Sequence, residues 1–132
     1  MLTMDKAQLI IEAAIEKAKK VGQPMNIAIV DAGANLMAFR RMDGAWLGSI
    51  DIAINKAFTA KAFDTSTLEL GRNGQPGDQF FGIHVSNHGR VMIFAGGIPI
   101  KVNGQIAGAV GVSGGSGEQD QAVAEAAVAA CS

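Results

Sequence analysis

GGIPIKVNGQIAGAVGVSGGSGEQD, residues 96–120, is the stretch that decides the fold. The apolar runs IPIKV and QIAGAVGVSG flank Asn103-Gly104, the strongest short hairpin signal in the chain. That dipeptide favours a type I′ turn, so the two runs pair as antiparallel strands. In the second run, Ile106, Gly108, Val110 and Val112 fall on one face. Ala107, Ala109, Gly111 and Ser113 fall on the other, which is almost bare. A bare face admits close approach by a helix, a ligand or another subunit. Ser116 with Gln119 is a capping box that opens a last helix with the body AVAEAAVAAC. An Ala-rich helix is narrow and has high propensity, so it is expected to lie on the bare face.

Working outward, VMIFAG at 91–96 reads as one more strand. NIAIVD and LMAFRR flank the turn AGAN and predict a hairpin over about 26–31 and 35–41. The N-terminal segment is helical, with Met4, Ala7, Ile11, Ala14, Ala18 and Val21 on one stripe and Gly22 and Pro24 as stops. Met42-Asp43-Gly44 is a second turn. A helix follows from about Trp46 to Phe63, with Ile50, Ala53, Ile54, Ala57 and Ala60 on its apolar stripe. Ser66 and Glu69 have capping-box spacing and predict a further short helical turn. Residues 71–90 are irregular, punctuated by Gly71, Gly74, Pro76, Gly77 and Gly82, with Phe80 and Phe81 as an anchor and a short helix expected near 80–87. The order of elements predicts an α/β (α+β) domain over 1–132, an antiparallel sheet of about five strands with helices packed against it.

The chain has 132 residues, the size of one domain, and 48% are hydrophobic, enough for a full core. Seventeen Gly against three Pro favour tight turns over a disordered tract. Net charge is −1, and the densest basic cluster is Lys17, Lys19 and Lys20 at a helix end. Without a basic stripe, a nucleic-acid surface is disfavoured. Cys131 is the single cysteine, which suits a reducing compartment. MLTMDKAQLIIEAAIEKAKK has no basic start, unbroken apolar run or small-residue cleavage site. It reads as neither signal peptide nor membrane span, and a cytoplasmic location is expected.

Ser113, Gly114, Gly115, Ser116 and Gly117 form a glycine-rich turn between strand and helix, where free N–H groups attract anions. It matches neither a Walker loop nor the dinucleotide fingerprint, and a plain strand-to-helix turn is its simplest reading. His84 and His88, the two histidines, are four apart and would share a helix face; either is a candidate axial haem ligand. The Glu of a zincin motif is absent between them, and no metal site is expected. Both also fit as ordinary loop residues. Arg40, Arg41 and Asp43 crowd one turn, suited to a salt bridge or, for Arg40, an anion contact. Lys56 borders an apolar stripe; it would snorkel outward or, if desolvated, bind an anion. Cys131 has no base partner, and the methionines fit as core filler. No residue is assigned a catalytic role.

VDAGANLMAFRRMDGA at 30–45, IAINKAFTAKAF at 52–63 and the opening stretch at 96–120 resemble the haem-degrading-domain family. That family includes GlcG-type proteins, secreted HbpS-type proteins and the C-terminal domain of PduO-type corrinoid adenosyltransferases. The resemblance implies a profilin-like fold, a homo-oligomer (tetramer or octamer) and binding of haem or another tetrapyrrole. By side-chain chemistry and not by the resemblance, the iron would take His84 or His88, and the propionates Arg40, Lys56 or the 113–117 amides. Neither the secreted members' export signal nor PduO's adenosyltransferase domain is recognisable here. Three functions follow as expectations. The first is a cytoplasmic oligomeric haem- or tetrapyrrole-binding module with weak haem-degrading activity. The second is a non-catalytic accessory protein of a diol, glycerol or glycolate operon. The third is a small enzyme acting on an anionic metabolite.

Overall fold

The computed structural model describes residues 1–131. Helix α1, Met4–Val21, leads into strands β1, Asn26–Asp31, and β2, Leu36–Arg41. Helices α2, Gly48–Ala62, and α3, Thr67–Arg72, follow. An irregular excursion then carries a 3₁₀ turn at Ile83–Val85 and a one-turn segment α4, Ser86–Gly89. The chain closes with β3, Gly97–Val102, β4, Gln105–Ser113, and α5, Gly117–Ala129.

The sheet has the order β2-β1-β4-β3, every pair antiparallel. The β3–β4 turn is the expected one: Asn103 and Gly104 have φ of 53° and 78°. Positive φ at both central positions defines type I′ and matches the right-handed twist of the strands. Central β1 is covered on both faces, which is why NIAIVD reads as a continuous run instead of alternating.

One face of the sheet carries α1 and α5, whose Ile10, Ile11, Val123 and Ala127 pack with Ile27, Ile29, Val110 and Val112. The other face carries α2, where Ala53, Ala57 and Ala60 pack on Ala28, Val30 and Ala109. The bare face of β4 therefore receives α2, not the Ala-rich last helix. Glycine fixes this choice. A Cβ on Gly111 would collide with the Ala53 carbonyl and the Ala57 amide, so α2 lies against strand backbone. Helix α5 instead meets the larger valines of the opposite face. In α1, Met4 proves exposed, and Ile10 takes its place in the buried stripe.

The sheet has four strands, one fewer than expected, because residues 91–96 join no ladder. Their polar groups are satisfied elsewhere. Met92 N–H donates to Thr59 Oγ1 and Gly96 N–H to Gln121 Oε1, while the Gly96 carbonyl accepts from Val112 N–H. Two helix side chains thus take donors that a strand would have given to a neighbour. Ser116 and Gln119 form the reciprocal capping box, and Ser66 Oγ accepts from Glu69 N–H at the start of α3.

Candidate functional site

A groove of about 660 Å³ runs between α3 and the first turns of α5. Its lining includes the apolar Leu68, Ile93, Phe94 and Ala95, with Arg72, Glu118 and Glu125 supplying charge. The size suits a small organic ligand. Glycine lets the walls approach at one point: a Cβ at Gly71 would collide with the Ile93 carbonyl.

Lys56 lies behind one groove wall. Its Nζ donates to the Val112 carbonyl at 2.8 Å and to Asp120 Oδ2 at 2.9 Å, and it sits 4.9 Å from the centre of the Phe94 ring. Lys56 is completely buried and Asp120 nearly so. Burial disfavours both charges: it lowers the Lys56 pKa and raises that of Asp120, and their mutual attraction opposes each shift. Lys56 therefore does not snorkel. It belongs to the α2 stripe, three residues after Ala53 and four before Ala60, and that spacing was the signal for its burial. Asp120 carried no sequence signal beyond an acidic first turn, which the helix dipole already accounts for.

The glycine-rich turn makes its own hydrogen bonds. Gly115 N–H donates to Asp120 Oδ1, and Ser116 N–H to Gln119 Oε1. Gln119 N–H donates to Ser116 Oγ, and the Gly114 carbonyl accepts from Gln23 Nε2. Ser113 is buried at the end of β4, and Gly117 borders the groove.

The two histidines occupy different settings. Asn87 and His88 have left-handed backbone conformations, so 84 and 88 do not share a helix face. His88 is exposed. The His84 ring packs edge-on to Phe81, with centroids 5.8 Å apart, and its Nδ1 is buried without a hydrogen-bond partner. Phe81, and Phe80 and Val85 near it in the chain, are exposed apolar side chains on an otherwise polar excursion. This excursion abuts the groove: Ile83, next to His84, and Ile93, in the groove wall, both lie against Gly74.

Arg40 is exposed on edge strand β2, in a shallow depression with Lys19, Arg41 and Asp43. The sequence candidates thus fall in separate places within one chain. Lys56 sits behind Phe94 of the groove wall and His84 in the excursion that abuts the groove, whereas Arg40 sits on the opposite sheet edge from β3. Among the described residues no group of three or more His, Cys, Asp or Glu could hold a metal ion, and no helix is long and apolar enough to cross a membrane.

A family model described as haem degrading protein HbpS-like matches residues 2–129. The chain is 40% identical over 127 residues to an uncharacterised 15.0 kDa protein of the dhaT-dhaS intergenic region of Citrobacter freundii, covering 96% of this chain and 89% of that protein. It is 38% identical over 129 residues to the corrinoid adenosyltransferase PduO of the same organism, covering 98% of this chain and only 38% of PduO. A crystal structure of a PduOC:haem complex superposes with a TM-score of 0.94 at 37% identity, covering 98% of this chain and 94% of that one.

Proposed function

Because the chain belongs to the HbpS-like family of haem-degrading proteins, we propose that it is a haem- or tetrapyrrole-binding module acting as a cytoplasmic homo-oligomer. The observation that carries this reading is the likeness to the PduOC:haem complex along nearly the whole chain.

Two places are candidates for haem. The groove has the volume and the apolar wall, but no His, Met or Cys lines it to bind iron. The excursion fits better: an imidazole without a hydrogen-bond partner stands among exposed phenylalanines. His84 is the iron donor in this reading, with Phe80, Phe81 and Val85 against the macrocycle. Exposed Arg90, whose guanidinium stacks 3.8 Å from the centre of the Phe58 ring, is the nearest cation in sequence for a propionate. Lys56 and Arg40 are less suited, one held in an ion pair with Asp120 behind Phe94 and the other on the far sheet edge. When bound, haem would supply a redox-active iron, and the family's description supports weak haem-degrading activity as part of this reading. The chain's own side chains bind the macrocycle and shield one side of it from water.

The same exposed aromatics support the oligomer, since contiguous apolar surface on a soluble domain marks an interface. The bare β4 face no longer supports it, being covered by α2. Haem titration of the wild-type chain, followed in the visible spectrum and by sedimentation velocity, tests both parts. Saturable binding to a species larger than the 13.6 kDa chain is expected. A non-saturating spectrum would remove the binding function, and a monomer would remove the oligomer.

A further inference from the structure

Lys56 is an expensive residue to bury, and its surroundings are not those of a simple strut. Two sides of the ammonium meet oxygen, at the Val112 carbonyl and at Asp120 Oδ2. The remaining side meets the ring of Phe94. That ring is 47% exposed and also lines the groove. Phe94 lies in a segment outside the sheet ladder, between α4 and β3, so its side chain can turn without breaking strand pairing. Behind it the backbone is pared to glycine: a Cβ on Gly96 would stand 2.7 Å from Lys56 Nζ. One aromatic ring therefore separates a desolvated primary amine, with a carboxylate at hydrogen-bond distance, from an apolar cavity of about 660 Å³.

We propose that Lys56 is a carbonyl-reactive amine, gated by Phe94, that captures small apolar aldehydes from the groove as an imine. The inference stands independently of haem binding, which uses the other side of Gly74. Asp120 accepts one proton from the Lys56 ammonium, and the neutral amine adds its lone pair to the carbonyl carbon. A proton moves from nitrogen to the new alkoxide. Asp120 then returns its proton to the hydroxyl, which leaves as water while the C=N bond forms. The product is a protonated imine. Ammonium plus aldehyde has become iminium plus water, and Asp120 ends as a carboxylate paired with the new cation. Gly115 N–H, donating to Asp120 Oδ1, keeps that carboxylate turned toward Lys56 throughout. Burial shifts Lys56 toward its neutral, nucleophilic form, in the direction this chemistry needs.

The test uses butanal with cyanoborohydride at pH 7 on the intact chain, and peptide mass spectrometry to locate the reduced adduct. Lys20 and Lys101 are exposed and serve as internal references. Lys56 is expected to be labelled about tenfold faster than either, because the neutral amine is the nucleophile and burial disfavours the ammonium. Phe94→Ala is expected to raise the Lys56 rate without changing the rates at Lys20 and Lys101. Lys56→Arg, which keeps the cation opposite Asp120, is expected to lose that one adduct and retain the wild-type circular dichroism. Labelling of Lys56 no faster than Lys20 in the wild-type chain would overturn the proposal and leave the pair a structural tie. That arm needs no variant to fold.

Discussion

Lys56 of α2 and Asp120 of α5 form a buried ion pair, Nζ to Oδ2 at 2.9 Å, that joins helices lying on opposite faces of the sheet. The connection passes where residues 96 and 97 are both glycine. A side chain at Gly96 would meet both partners, and one at Gly97 would collide with Lys56 backbone and Thr67. The pair therefore clamps the three layers together beside the groove.

Removing one partner strands the other in a nonpolar interior. Asp120→Asn or Lys56→Met is expected to cost about 3–5 kcal/mol, the range for leaving a buried charge uncompensated. The double replacement Lys56→Met with Asp120→Leu should recover much of that loss, because no charge remains to be solvated. Urea unfolding of the three variants at unchanged m-value measures this. A double variant no more stable than the single ones would show that packing, not charge, dominates the site.

The approach of α2 to the sheet rests on Gly111. Gly111→Val must push the Ala53 carbonyl away from β4, and overpacking of this kind costs about 1–3 kcal/mol. The midpoint of urea unfolding is the readout, and an unchanged midpoint would mean that α2 can lift at no cost.

Asp31 closes the β1–β2 turn, its carboxylate accepting from the Gly33 and Asn35 backbone amides. The hydrogen bond from Asn35 is the main cause that holds its pKa below the ordinary 3.8, with the one from Gly33 adding to it. A depressed folded pKa contributes stability above 3.8 that is lost as pH falls through the folded value. Carboxyl-carbon NMR should give an Asp31 midpoint below 3.8, and Asp31→Asn should flatten that part of the acid limb. A midpoint at or above 3.8 would contradict the turn geometry.

Much of this was legible in the chain itself, and the reasons differ by element. The β3–β4 hairpin followed from Asn103-Gly104, because turn chemistry is local. The N-caps Ser66 and Ser116 were legible for the same reason. The placement of α2 on β4 was not, since a bare face says that something comes close without saying which helix. Residues 91–96 misled because apolar composition cannot reveal that Thr59 and Gln121 would take their backbone donors. At the candidate site, Lys56 could be marked from its spacing, but Asp120 is 64 residues away. The groove itself assembles from α3, 93–95 and α5, three segments with no shared motif. For the histidines, the expectation of a common helix face failed because residues 87 and 88 turn left-handed.

Haem held through His84 is the central claim, and the Soret band of three proteins tests it most directly. Wild type, His84→Ala and His88→Ala are titrated with haem under the same conditions. His88 is exposed in a strained turn, while His84 stands among Phe80, Phe81 and Val85. The expected result is a saturable Soret shift in wild type and His88→Ala, with its position or amplitude altered in His84→Ala. An identical saturable shift in His84→Ala would contradict the assignment of the iron ligand, and no saturable shift in wild type would contradict haem binding itself.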